Sequence, residues 1–542
     1  MESDPSKPSK KYNVFLPIIL SLVLVLGIWM GYFLNNRISK GSVENQNHYT
    51  STNDKINSLL DYIEYQYVDT INRKDLVEKT VTSMLQSLDP HSSYIAASEF
   101  ETINEPLEGN FDGIGVEFNI IKDTIRVVTP IDGGPSEKIG IKSGDKIVKV
   151  EGKNVAGIKI TNKEVFEKLR GKSGTIVNVS ILRSGIVKPL DFKITRGAIP
   201  LYSLDASYML SPVIGYIKIS KFAATTYEEY LKAFNELSKK GMKKLILDLR
   251  GNPGGYLNAA VDISDEFLTN GLQIVYTQGK ANPKKIYKAT SHGSFENNPL
   301  VVLIDEGSAS ASEIVAGAVQ DNDRGTIIGR RSFGKGLVQD QLQLPDGSAI
   351  RLTIARYYTP TGRCIQKPYS DDKSQYYSEE YNRYENGELF NEDSVKTDKT
   401  KQFKTPEGKI VYGGGGIMPD IFVPIDTTKT NSFLNKAFYA GNINTFAFEY
   451  ADKNRNQIKI YKTAKNYIDK FEISNTILDE FYEYCANQNL LLGNLSKPKT
   501  NEALKPYLKA FIGRNVFDKD AYYPIINQKD KSILKAIEVL SQ

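Results

Sequence analysis

"LVVLIDEGSASASEIVAGAVQD", residues 300–321, runs from an unbroken apolar stretch, through a loop with three serines on alternate positions, into a helical pattern. Five consecutive branched apolar residues read as a strand buried on both faces, and the spacing in SEIVAGAVQ reads as a covering helix. The serine loop then lies at the carboxyl end of a strand, where open α/β sheets place their sites. A hydroxyl there sits near a helix N-terminus, whose free N–H groups and dipole favour developing negative charge. The same alternation precedes it. VIGYIKI (213–219) leads into TTYEEYLKAFNELSKKG (225–241), and KKLILDLRG (243–251) leads through a glycine-rich turn into LNAAVDISDEFL (257–268). Residues 197–425 are therefore predicted to form an α/β core. Within it, LVQDQLQLPDGSAIRLTIARYYT (337–359) reads as a hairpin turning at Pro345-Asp346-Gly347. Residues 369–410, polar and rich in Tyr, Asp, Glu and Lys, read as a surface insertion, and GGGGIMPDIFVP (413–424) returns to the core.

Outward from this core the pattern changes twice. Residues 107–196 hold short strand-like runs and one helical stretch, TNKEVFEKLRG (161–171), the pattern of a small, partly open β-barrel. Inside it, FDGIGVEF (111–118) places two glycines just before a strand. Successive N–H groups in such a loop can cradle a peptide carboxylate, and the following strand can take the peptide by β-augmentation. Residues 53–106 read as helices, with Ile56, Leu59, Leu60, Ile63 and Tyr67 on one stripe. DPHSSY (89–94) ends the second helix, and His91 reads as a turn residue. Residues 426–542 read as helical without an interpretable motif.

The first 52 residues concern location. NVFLPIILSLVLVLGIWMGYFL (13–34) carries no charge, and at ~1.5 Å per residue it spans roughly 33 Å, enough for a bilayer core. Lys7, Lys10 and Lys11 precede it. The positive-inside rule puts residues 1–12 in the cytoplasm and the remainder, after a tether at 35–52, outside it. The expectation is a single-pass protein of a bacterial inner membrane with its bulk on the periplasmic side. A cleaved signal peptide is the competing reading.

Composition narrows the function. The chain has 542 residues and a net charge of +5 from 69 basic and 64 acidic side chains, with no basic stripe suited to nucleic acid. Cys364 and Cys485 make neither a disulfide framework nor a metal set. No zinc spacing and no phosphate loop occur.

The chemistry turns on the serines and on what takes a proton from one of them. Ser310 and Glu313 are spaced as a capping box, which alone accounts for both, and Ser308 and Ser312 are expected to be solvated. The three histidines, His48, His91 and His292, fall outside the candidate loops. Lys335 instead sits between two glycines in RRSFGKGLVQDQ (330–341), near Phe333, Leu337 and Val338. A lysine held neutral by apolar surroundings can serve as a general base. LDLRGNPGGYL (247–257) offers a glycine-rich turn whose N–H groups can face a substrate carbonyl.

Two resemblances organise these observations. Gly113-Ile114-Gly115-Val116 looks like the carboxylate loop of a PDZ domain, and GIKSGDKIVKVEGKNV (140–155) resembles its central signature. The resemblance implies that Val165 and Leu169 line a pocket for an apolar C-terminal residue. DLRGNPGG, GSASASEI and SFGKGLVQ, in this order, with DPHSSY, YYTPTGRCIQ and GGGGIMPDI, resemble the carboxy-terminal processing peptidases, or tail-specific proteases, over roughly residues 55–425. These are Ser-Lys proteases with a PDZ domain that cut exported proteins near their C-termini, the PDZ domain acting as sensor or gate. The likeness implies Ser310 as nucleophile, Lys335 as base, Gln339 as the residue that holds the lysine, and Glu313 in support. Ala311, with Gly254 or Gly255, would donate to the oxyanion. Protein or peptide substrates with apolar C-termini follow, while metal and cofactor do not. An adaptor protein and a homo-oligomer are left open. On a straight strand Lys335 and Gln339 stand roughly 13 Å apart, so their contact needs a bend near Gly334 or Gly336. Insertion 369–410 departs from the family pattern. Two alternatives remain: a PDZ scaffold with a vestigial site, and a Ser-Lys amidase or esterase acting on envelope molecules.

Overall fold

The computed structural model describes residues 21–30, 52–131, 133–183, 185–370, 373–427 and 431–542. The chain divides into two units, residues 1–81 and 82–542. In the first, residues 21–30 are helical and exposed, Trp29 among them. The rest of the expected span 13–34 lies outside the described residues. Among the described residues no helix is long and apolar enough to cross a membrane. A second helix, Thr52–Gln66, is tied by Asp61 and Glu64 to Arg73, at 2.6 and 2.7 Å, where the helix Arg73–Gln86 begins.

The second unit is built on a six-stranded sheet. Strands Ile214–Ile219, Lys244–Asp248, Leu300–Ile304 and Thr326–Gly329 run parallel in that spatial order. Ile421–Phe422 extends the sheet in parallel beyond the last, and Leu204–Met209 joins the first antiparallel. Leu245–Leu247 and Val301–Ile304 are wholly buried because both faces are covered. Leu245, Leu247 and Val302 pack under the helices Thr226–Lys239, Leu257–Asp265 and Ala311–Asp321. Their alternates Ile246, Val301 and Leu303 meet Ile533, Ala536 and Leu540 of the helix Lys531–Ser541. This is the period-two alternation of a strand, with both phases apolar. A second, antiparallel sheet centres on Ala349–Tyr358, which pairs with Ser93–Ile95, Gln273–Gln278 and Leu337–Gln343. The last pairing is the hairpin, closed by Gly347 at φ +87°.

Within this unit the barrel joins the core through two paired strands. Asn110–Gly113 runs antiparallel to Gly197–Pro200, with Gly113 opposite Gly197. Between them, a six-stranded sheet from Val116–Ile120 to Leu190–Thr195 and a helix, Asn162–Leu169, enclose Val127, Ile147, Val179, Ile181 and Ile194. Val116–Ile120 is an edge strand of that sheet. Helices between Ser432 and Asn527 form a separate core around Phe446, Tyr467, Phe481 and Leu508. They also touch the barrel, where Phe448 packs on Ile121 and Val128 and Arg514 meets Glu117 at 3.0 Å.

Candidate active site

Three loops leave the carboxyl ends of adjacent parallel strands and converge. The loop after Leu300–Ile304 carries the serines. Ser308 Oγ donates to the Leu249 carbonyl at 2.8 Å, and Ser312 Oγ to the Asn252 carbonyl at 2.9 Å. Both are fully buried, so the expectation of solvated flanking serines is wrong: their hydroxyls stitch this loop to the glycine-rich one. Ser310, between them, has φ +54° and ψ −109°. For a side-chain-bearing residue that backbone costs about 1–3 kcal/mol and persists only where neighbours over-determine it. Here the Ala309 N–H is held by the Asn252 carbonyl at 2.9 Å and the Ser310 N–H by Glu313 Oε2 at 2.8 Å.

Glu313 does more than cap its helix. Its carboxylate is fully buried and takes four donors: Ser310 N–H (2.8 Å), Ser332 Oγ (2.6 Å), Gly334 N–H (2.7 Å) and Lys335 N–H (2.9 Å). Burial pushes its carboxyl up, against the pull of those donors. One side chain thus fixes the serine loop and the lysine loop to each other. Tyr357 repeats the link from the second sheet, its hydroxyl lying 3.0 Å from the Ser310 carbonyl and 2.8 Å from that of Lys335.

Lys335 Nζ donates to Gln339 Oε1 at 3.1 Å. Residues 331–336 are not strand, Gly334 takes φ +91°, and the pairing with Ala349–Tyr358 slips between Val338 and Gln339. Together these supply the bend that a straight strand forbids. Burial, then the Arg351 charge, lowers the affinity of Lys335 for its proton, while Glu313 and Asp89 act oppositely. Leu337 and Val338 line the same cleft as the amine, but Phe333 does not; its ring carries Lys367 Nζ at 3.9 Å.

In the glycine-rich turn the two candidate glycines differ in their hydrogen bonding. The Gly254 N–H is taken by Asn252 Oδ1 at 2.8 Å, whereas among the described residues no hydrogen bond engages the N–H of Gly255 or of Ala311. Both glycines are required. A Cβ on Gly254 (φ +100°) would lie 2.8 Å from Ser310 Cβ, and one on Gly255 would overlap the Phe222 carbonyl. Gly254, Gly255, Ser310, Ala311, Lys335 and Gln339 all line one cleft of about 790 Å³. Its other walls include Leu107, Tyr227, Leu257, Tyr287 and Ile314.

In the barrel, Ile114 and Gly115 form the turn before the edge strand. The Ile114 carbonyl accepts from Ser136 N–H and Oγ at 3.0 and 2.6 Å, and Gly115 has φ +74°. Val165 and Leu169 lie in the barrel core with Ile114 rather than at its surface. On the same helix Phe166 lies edge-on to Phe118 of the strand Val116–Ile120 at 5.6 Å, and Val116, Phe118 and Ile120 pack against the core that holds Val165 and Leu169.

Several contributors were given no catalytic role from sequence: Asn252, Ser332, Tyr357 and His91, though each lies inside a family-like motif, and Arg351, which lies outside them. His91 lies 248 positions before Gln339, yet its carbonyl receives Gln339 Nε2 at 2.5 Å. It is part of the site's framework, not only a turn residue. Among the described residues no cluster of acidic, histidine and cysteine side chains could hold a metal.

Residues 213–372 match peptidase family S41, and residues 113–194 match the PDZ domain. Residues 29–99 match the activating protease CtpB N-terminal domain, and 433–518 a family of unknown function. The carboxy-terminal-processing protease of Bartonella bacilliformis is 40% identical over 317 residues, 58% of this chain and 72% of that protein. This chain belongs to the carboxy-terminal processing proteases. Carboxy-terminal processing protease CtpB of Bacillus subtilis is 38% identical over 58% of this chain and 65% of its own length. The carboxyl-terminal-processing protease of a Synechocystis strain is 36% identical over 54% and 69%. As a carboxy-terminal processing protease, the chain is a serine-type peptidase with a PDZ domain.

Proposed function

We propose that the chain is a membrane-anchored endopeptidase that cuts exported proteins near their C-termini, with Ser310 as nucleophile, Lys335 as general base and the PDZ domain holding the substrate carboxylate. The observation that carries this reading is an amine whose partial burial biases it toward its neutral form, in the same cleft as a serine in left-handed backbone. Ser310 Oγ attacks the peptide carbonyl as Lys335 Nζ takes its proton. The N–H groups of Ala311 and Gly255 receive the oxyanion. The Lys335 ammonium then protonates the leaving amine. A water deprotonated by the same amine releases the acyl group and returns the serine. Gln339 Oε1, accepting from Nζ, sets the direction of the nitrogen lone pair. Because the base works neutral, kcat/KM falls as pH is lowered through the Lys335 pKa. The test incubates residues 35–542 with an unfolded protein bearing an apolar C-terminal tail and maps the products by mass spectrometry, beside Ser310→Ala and Lys335→Ala. A parent chain that cuts nothing would favour the scaffold reading.

The PDZ domain supplies selection and gating in this scheme. Gly113 and Gly197 are register partners, so the domain between them can be replaced by a short link without stretching the core. Its removal is expected to change both the spectrum of cleaved tails and the rate. An unaltered cleavage profile would eliminate the gate. Residues 13–34 act as the anchor in this reading, on the strength of their uncharged run. The full-length chain is then expected to stay with membranes in alkaline carbonate. Quantitative release would remove the anchor from the proposal.

A further inference from the structure

Residues 369–410 fit none of the family motifs, yet they are not a detached surface excursion. Their helix Lys373–Glu385 buries Tyr376 and Arg383 and makes contact behind the cleft at two separate places.

At one end, Arg383 faces the loop that carries Lys335. Nη1 donates to the carbonyls of Arg331 and Ser332 at 3.2 and 3.0 Å, and Nη2 to that of Phe333 at 3.4 Å. These are the three residues leading into Gly334 and Lys335. Three successive carbonyls turned toward one cation suit the flat, many-donor guanidinium; an ammonium of the same charge cannot reach all three. Glu379 and Glu388, at 3.0 and 3.7 Å, offset the buried charge. The same two carboxylates hold Arg331, and Glu379 holds Lys367.

At the other end the helix grips the 89–91 segment. Lys373 Nζ donates to the Asp89 carbonyl at 2.9 Å, and Tyr377 Oη to that of Pro90 at 2.7 Å. Tyr376 Oη pairs with His91 Nε2 at 2.6 Å. Burial and the nearby Lys335 and Lys367 charges lower the imidazole pKa to about 4, so the ring is neutral at physiological pH and the phenol is its partner. The carbonyl of that same histidine orients Gln339, which holds Lys335 Nζ.

We propose that Arg383 and Tyr376 are positioning residues for Lys335: the insertion helix is a brace that hangs the lysine loop from one end and, through His91, aims Gln339 from the other. The inference rests on the reading of Lys335 as the base. It assigns the insertion a task that its sequence does not announce. It also explains why two segments more than 200 residues apart, one before and one within the core, meet behind a single amine.

Arg383→Met and Tyr376→Phe, the second removing one oxygen only, are measured for kcat, KM and the pH dependence of kcat on the unfolded substrate. Small displacements of a reacting group cost up to ~100-fold in rate, so kcat is expected to fall roughly 30- to 100-fold for Arg383→Met and about five- to tenfold for Tyr376→Phe, with KM within about twofold. The acid limb of kcat is expected to move to higher pH in both, because a loosened Lys335 is better hydrated and holds its proton more tightly. Arg383→Lys should recover little. A variant that merely folded less well would lose amplitude and keep the limb in place. Hydrogen exchange at Gly334 and Lys335 in Arg383→Met supplies a readout independent of turnover, and faster exchange is expected. Parent-like kcat and limb in an active protein would overturn the brace. A parent that cuts nothing would overturn the protease reading instead, and exchange alone would then decide whether the helix holds the loop.

Discussion

Ser310→Ala and Lys335→Ala should each lower kcat by about 10⁴-fold or more, and the double variant should be no worse than either single one. That non-additivity is the sharper half of the expectation. If the hydroxyl is useless without a proton acceptor, and the amine useless without a proton to accept, removing the second partner costs nothing further. The geometry supports treating them as one unit, since Glu313 binds the N–H of both residues and Tyr357 approaches both carbonyls. KM should change little, because neither side chain supplies much of the cleft's apolar wall. Single-turnover cleavage followed by mass spectrometry measures this. A Lys335→Ala enzyme within tenfold of the parent would remove the lysine from the mechanism.

The second large effect is expected at Glu313. Glu313→Ala strands three backbone N–H groups and one hydroxyl in a site closed to water. Each buried donor left without a partner costs about 1–3 kcal/mol, so a loss of several kcal/mol in stability is expected. Turnover should be lost alongside, since both loops are released. Glu313→Gln is no rescue. Its amide NH₂ would have to face either the Ser310 and Lys335 N–H pair or the Gly334 N–H, and two donors cannot satisfy each other. Calorimetric unfolding beside cleavage assays checks both variants. A Gln variant with parent stability would show that the carboxylate is not the hub described.

The alternation of strand and helix was legible because strands buried on both faces write their apolar phase into every position. The convergence of the three loops followed from their place at the strands' carboxyl ends. What local pattern could not carry is which hydroxyl is spoken for. Ser308 and Ser312 look solvent-facing by spacing, yet each is consumed by a carbonyl about 60 positions away in sequence. The His91 carbonyl and the Tyr357 hydroxyl reach the site through β pairing of distant segments, so no window around Lys335 contains them. The direction of the Val165 and Leu169 stripe was also beyond local pattern. At i and i+4 they share a stripe, and that stripe is turned into the barrel core, with Phe166 beside it against Phe118. The Lys335–Gln339 contact needed a coil and a register slip, which glycines permit but do not announce.

The paired strands that carry the barrel also bear on how the polypeptide assembles. The core's first strands are separated from the helices before them by more than 80 residues of inserted chain, a long loop to close if that chain were random. Once the barrel has folded, its two ends emerge side by side at Gly113 and Gly197, and the effective loop shrinks to a few residues. The difference in closure entropy is about 2.6 kcal/mol. The interruption thus becomes nearly invisible to the core, provided the inserted module reaches its native state first.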